Sequence, residues 1–310
     1  MKIVALAGGV GGAKLAHGLA QVLPPEDLTV IVNTGDDFEH YGLYICPDLD
    51  TVCYTLAGLA NPATGWGRID ETWNVIGNAT RLGGPDWFRL GDQDLGTHLE
   101  RTRRLKEGHT LSQITGDFCK AWGVEQVVLP MSDQQVRTIV ETEAGDLAFQ
   151  EYFVHQRCEP RVTGFRFEGV DRALPAPGVH AALQAADAVV ICPSNPWVSI
   201  DPILKVLFPL FPGKGRGVKS VAVSPIIGGQ TVKGPAAKMF RELGIEPSAL
   251  AVANHYCDLV DGFVLDKIDE QLKGDIDRKM STMVTNTLMK DVQDRGQLAQ
   301  AVLDFIEVGL

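Results

Sequence analysis

Hydrophobic and polar positions alternate along this chain with a repeating grammar. Lys2–Ala7 (KIVALA) is a short continuous apolar run, the pattern of a strand buried on both faces. Gly8–Gly12 breaks it. From Ala13 to Leu23 apolar residues fall at Leu15, Ala16, Leu19 and Val22–Leu23, a helical period, and Pro24–Pro25 ends the helix. Leu28–Val32 (LTVIV) is a second buried run, so the segment predicts a βαβ unit and hence a parallel sheet. Asp187–Cys192, Lys219–Val223 and Gly262–Leu265 repeat the strand pattern, the first two opening into Gly/Pro-rich polar loops. Residues 66–122 predict helices with charged faces, Asp94–Lys106 among them. Residues 124–168 predict short strands, with Arg137–Thr142 and Leu147–His155 as a hairpin about a turn at 143–146. The expectation is one α/β domain over residues 1–310. It carries a Rossmann-like, mostly parallel sheet with helices on both faces, and residues 66–168 form an inserted helical and β-hairpin subdomain.

Composition narrows the class. With 45% hydrophobic residues in 310, a full core needs no disulfide or metal staple. The 28 Lys+Arg against 39 Asp+Glu give a net charge of −11, which argues against nucleic acid as a partner. A small anionic ligand would need local lysines, backbone N–H groups or a divalent cation. No apolar run is long enough for a membrane helix, and the six-residue apolar start is too short for a secretory signal. None of the six cysteines is spaced as CxxC, so a reduced, cytoplasmic protein is expected.

Candidate chemistry gathers where strands end, because parallel sheets bind ligands there. Gly8, Gly9, Gly11, Gly12 and Lys14 lie between strand and helix. They suit a phosphate cradle, or simply a tight turn of small residues. The segment matches neither GxGxxG nor the P-loop pattern. Asp36, Asp37, Asp48 and Asp50 cluster after the second strand. Asp36, Asp48 and Asp50 are candidate Mg²⁺ ligands or acceptors of ligand hydroxyls, with Asp48 also a candidate helix N-cap. Asp92 and His98, two helical turns apart, could act as orienter and base on a hydroxyl. Ser194, Asn195, Ser224 and Gly228 rim the later strands and offer donors to a nucleoside. Lys233 and Lys238 add counter-charge nearby.

GGVGGAK, NTGDD, CPDLDTV, WFRLGDQDLGTH, LPMSD, FQEYFV, PSNPWVSIDPIL and SPIIGG follow in this order over residues 1–235. Together they resemble the 2-phospho-L-lactate transferase family of coenzyme F420 biosynthesis. The resemblance implies transfer of a phospho-lactyl or phosphoenolpyruvyl-type group from a guanosine diphosphate ester to the ribityl hydroxyl of the deazaflavin Fo. GMP leaves, and Mg²⁺ is the cofactor. It also implies Asp50 as an Fo contact, with Arg89 where the family typically has lysine, and a homodimer. The alternative on the same fold is a non-catalytic nucleotide-sugar-binding regulator. The broken GxGxxG argues against a third reading, an NAD(P) oxidoreductase.

Overall fold

A computed structural model describes residues 1–208, 210–211, 213–215 and 217–310. The chain opens with β1 (Ile3–Ala7), α1 (Gly9–Val22) and β2 (Leu28–Val32). A small hairpin, β3 (Phe38–His40) and β4 (Leu43–Ile45), leads into α2 (Pro47–Leu56), α3 (Asn74–Arg81), α4 (Asp92–Lys106) and α5 (Leu111–Ala121). Then come β5 (Val127–Pro130), β6 (Arg137–Thr142), β7 (Gly145–Ala148) and β8 (Val162–Glu168). They are followed by α6 (Val179–Ala185), β9 (Ala188–Ile191), α7 (Asp201–Leu207) and β10 (Lys219–Val223). The last third holds a second small hairpin, β11 (Ile226–Ile227) and β12 (Gln230–Thr231), then α8 (Ala236–Glu242) and α9 (Ala249–Tyr256). It ends with β13 (Gly262–Asp266), α10 (Lys273–Ile276), β14 (Ser281–Thr285) and α11 (Val292–Asp304).

Seven strands form the central sheet in the order β14-β13-β10-β9-β1-β2-β5, and every pairing within it is parallel. Side-chain alternation explains the layers. Ile3, Ala5 and Ala7 of β1 face a core shared with α1, α2 and α11, while Val4 and Leu6 face a second core with α6, α7 and α9. Both faces are therefore covered, as continuous apolar strands require. The order reverses direction at β1, with β2 on one side and β9 on the other. This is the doubly wound switch point, where a crevice opens at the carboxyl ends.

The expected insertion at 66–168 is corrected. β5 pairs with β2 and belongs to the main sheet, so the segment is two excursions: helices α3–α5 before β5, and the antiparallel sheet β7-β6-β8 after it. The hairpin partner of β6 is also shorter than expected. It stops at Ala148, and Glu151–His155 turns helical. The small sheet has its own apolar cluster, in which Val140, Tyr152 and Val162 pack on Val198 and Met239, so it sits directly over the loop that follows β9.

Candidate functional site

A cavity of about 760 Å³ occupies the switch point. Its floor is the β1–α1 junction and the first turns of α2. Its walls come from α4, the turn at 149–154, and the loops after β9, β10 and β14.

At the floor, α1 begins at Gly9, earlier than the periodicity suggested, so the glycines form its first turn instead of a loop. The backbone of Gly8 is fully engaged by Ser194. Its N–H donates to Ser194 Oγ at 3.1 Å, and that hydroxyl donates to Gly8 O at 2.9 Å. The Gly9 N–H donates to Asp48 Oδ1 at 2.7 Å. The protein's own groups thus take the two donors expected to meet a phosphate. Val10 and Gly11 still line the cavity with N–H groups that have no intrahelical partner. Gly11 and Gly12 are glycines for packing: a Cβ on Gly11 would run into the Pro193 carbonyl oxygen, and one on Gly12 would meet Ser194 Oγ at 2.6 Å. One turn along α1, the Lys14 ammonium donates to Met289 O at 2.7 Å. Burial lowers its pKa, as do the charges of Arg295 and Lys233. Lys233 also lines the cavity, its ammonium on Thr64 O.

The carboxylates separate into two sets. Asp36 and Asp48 share one donor: Asn33 Nδ2 lies 3.2 Å from Asp36 Oδ1 and 3.0 Å from Asp48 Oδ2. Gln150 donates to the other Asp36 oxygen at 3.1 Å. Among the described residues no Lys, Arg or His forms an ion pair with either. Burial pushes Asp36 well above the ordinary carboxylate range, and the Asp48 and Asp37 charges push it further. Burial lifts Asp48 to about 6 against the hydrogen bonds from Asn33 and Gly9. Asp37 lies behind them, buried and outside the cavity lining.

Asp50, expected to join this pair on a metal, instead meets Arg101. Nη1 donates to Oδ2 at 3.0 Å and Nη2 donates to Oδ1. Oxygen or nitrogen atoms of Asp50, Asp94 and His98 do converge within 4.8 Å. Within that convergence the guanidinium already takes both Asp50 oxygens. The buried pair lacking a cation is Asp36–Asp48, and its all-oxygen donor set is the one that fits a hard divalent ion.

The expected pairing of Asp92 with His98 is also corrected. Asp92 is outside the cavity lining and turned toward α3. It accepts from Thr72 Oγ1 at 2.6 Å and from the Asn74 and Val75 N–H groups at 3.0 Å, bonds that pull its pKa down to about 2. In return Glu71 accepts from Gln93 N and Asp94 N at the start of α4, so the two helices cap each other. The partner of His98 is Asp94, with Nε2 3.3 Å from Oδ1. Burial works against Asp94's charge, yet the His98 ring beside it and the hydrogen bond from the Tyr54 hydroxyl keep its carboxyl below the usual range. The i,i+4 spacing of Asp94 and His98, with Arg101 three residues further, was the overlooked signal for this face. Tyr54 and Gln150 gave no such signal, because only the tertiary fold delivers them.

The remaining candidates scatter around the rim. Arg89 is exposed at the mouth, 4.5 Å over the Trp73 ring. Asn195 and Ser224 line the cavity, although Asn195 Oδ1 already accepts from Trp197 N and Ser224 binds the Ile226 backbone. Gly228 is removed from the site. It turns the β11–β12 hairpin at φ 57°, and its N–H donates to Asp269. Among the described residues, no helix is long and apolar enough to cross a membrane.

Comparison with known proteins was made against this geometry. Residues 3–302 match the family model described as 2-phospho-L-lactate transferase CofD. The chain is 43% identical over 320 residues to a phosphoenolpyruvate transferase of Kitasatospora aureofaciens, covering 99% of this chain and 98% of that protein. It is 39% identical over 307 residues to a 2-phospho-L-lactate transferase of Methanothermobacter thermautotrophicus, covering 97% of each. A crystal structure of a UPF0052-family protein from Bacillus halodurans superposes with a TM-score of 0.60 at 16% identity, over 97% of this chain and 98% of that one, a likeness of fold.

Proposed function

This chain belongs to the 2-phospho-L-lactate transferase CofD family, and on that premise we propose that it moves a phosphoenolpyruvyl-type group, or its phospho-lactyl counterpart, to a hydroxyl. The donor is a guanosine diphosphate ester of the three-carbon acid. The acceptor is the ribityl hydroxyl of the deazaflavin Fo, and the other product is GMP. The step belongs to coenzyme F420 biosynthesis. The observation that carries this reading is the division of one cavity into an uncompensated acidic pair and a lysine side facing the first turn of α1. Relatives named phosphoenolpyruvate transferase favour the enolpyruvyl donor over lactyl and glyceryl ones.

Phosphoryl transfer asks a protein for position and charge neutralisation more than for covalent chemistry. Asp36 and Asp48 are the residues that would hold Mg²⁺. When bound, the ion would neutralise the diphosphate and the charge growing on the departing phosphoryl oxygen. Val10 and Gly11 N–H groups and the ammonium groups of Lys14 and Lys233 meet phosphoryl oxygens from the other side. Asp50 accepts a hydrogen bond from an acceptor hydroxyl, and Arg89 at the mouth reaches the acceptor's polar edge. The loops holding Ser194, Asn195 and Ser224 face the nucleoside. A cytoplasmic homodimer is the expected form, and light scattering of the purified protein reads the subunit number.

The direct test incubates the protein with Fo, Mg²⁺ and each of three donors, carrying lactate, enolpyruvate or glycerate, and weighs the products by mass spectrometry. The enolpyruvyl phosphodiester is expected to form fastest. No phosphodiester from any donor would overturn the reading.

A further inference from the structure

Arg101 is the largest fully buried side chain of the molecule, 2% exposed, and no strand or helix geometry demands an arginine there. An arginine inside a protein is expensive unless every donor is met. Here the fork of the guanidinium lies along both Asp50 oxygens, and Nη1 also reaches Tyr44 O at 3.4 Å and His98 Nδ1 at 3.2 Å. A guanidinium donates only. The His98 Nδ1 facing it therefore presents its lone pair, and the ring proton resides on Nε2, which lies 3.3 Å from Asp94 Oδ1 outside hydrogen-bond geometry. Asp50 from α2 and Asp94 and Arg101 from α4 are the charged groups around this ring, which is itself 1% exposed.

The geometry points to Arg101 as the positioning residue of the acceptor site: its fork fixes the Asp50 carboxylate as a singly oriented acceptor on the cavity wall, and His98 is the spacer that holds fork and Asp94 apart. The ring carries no available lone pair for a substrate proton, so His98 is not the base. The fork also keeps Asp50 from serving as a metal ligand. A lysine could not do this work, since one ammonium meets one oxygen at a time and leaves the carboxylate free to rotate. The assignment rests on the transferase reading for what Asp50 contacts. The arrangement of the ring proton is independent of it.

The experiment has two arms. Nitrogen NMR of the histidines in the intact protein, with His98 assigned by comparison with His98→Gln, is expected to show bare Nδ1 and protonated Nε2 for this ring. The opposite tautomer would overturn the spacer role whatever the protein catalyses. In the second arm, Arg101→Lys is expected to raise KM for Fo about tenfold or more, with kcat reduced less and GDP affinity by calorimetry within about twofold. Equal losses in GDP and Fo binding would reduce Arg101 to scaffolding. His98→Gln, whose amide can accept from Arg101 or donate to Asp94, is expected to lower kcat by no more than about tenfold with the shape of its pH profile kept. A fall of about 10²–10⁴ with loss of the acidic limb would identify a base instead.

Discussion

At the scale of residues, the four aspartates of one stretch have different fates because their cations differ. Asp50 has Arg101, and removing it strands a buried charge, so Asp50→Ala should cost about 3–5 kcal/mol of stability as well as acceptor binding. Asp50→Ala combined with Arg101→Met should recover much of that loss in chemical denaturation, with Fo binding still absent. Asp48 has no counter-ion among the described residues, and its folded pKa of about 6 lies above the ordinary carboxylate value of 3.8. A raised carboxyl stabilises the fold below the unfolded pKa and loses that contribution as pH rises through about 6. The melting temperature of the metal-free protein is therefore expected to fall between about pH 4 and 6 more steeply than that of Asp48→Asn. Mg²⁺ should raise it increasingly across the same window, because metal and proton compete for the pair. A Mg²⁺ shift of equal size at pH 4 and pH 7, measured by scanning fluorimetry, would remove the ion from Asp36–Asp48. The acidic cluster was legible in the sequence. Its division was not, since Arg101 lies 51 residues beyond Asp50 and only the approach of α4 to α2 joins them.

Elements tell a second story. The strands flanking the switch point were readable as runs of Val, Ile and Ala, because burial on both faces leaves Thr29 as their single polar residue. β5, four residues ending in proline, and β14, which begins with serine and threonine, lie at the sheet edges and lack that signature. At the glycine turn, the two readings of the sequence, a phosphate cradle and a tight turn of small residues, are joined by a packing demand at Gly11 and Gly12. Gly11→Val is expected to push α1 off the Pro193 loop, at a cost of about 1–3 kcal/mol from overpacking. Donor and acceptor affinities should then fall together. A variant with intact stability and a loss confined to the donor would make phosphate contact, and not packing, the reason for this glycine. Asp92→Ala should loosen the mutual capping of α3 and α4, seen as faster amide exchange at Asn74 and Val75, with kcat held within about twofold. A large loss in kcat with unchanged exchange would put Asp92 back in the chemistry.

For the whole molecule, charge and topology set the terms. A net charge of −11 repels an anionic donor at long range, so donor association is expected to speed up as salt is raised from about 10 to 150 mM, the reverse of a steered encounter. A rate that falls with salt would mean that the lysine side dominates the field. Topology has a consequence in time. The hydroxyl that ties down Gly8 comes from Ser194, 186 residues later, and the carbonyl that seats Lys14 comes from Met289, 275 residues later. At roughly 5–20 residues per second, a ribosome that has made the glycine turn needs about 10–40 s more to make the serine that ties down Gly8. Through that interval the nascent chain lacks every part of the cavity wall from Pro193 onward. Each polypeptide becomes able to hold its ligands only near the end of its own synthesis.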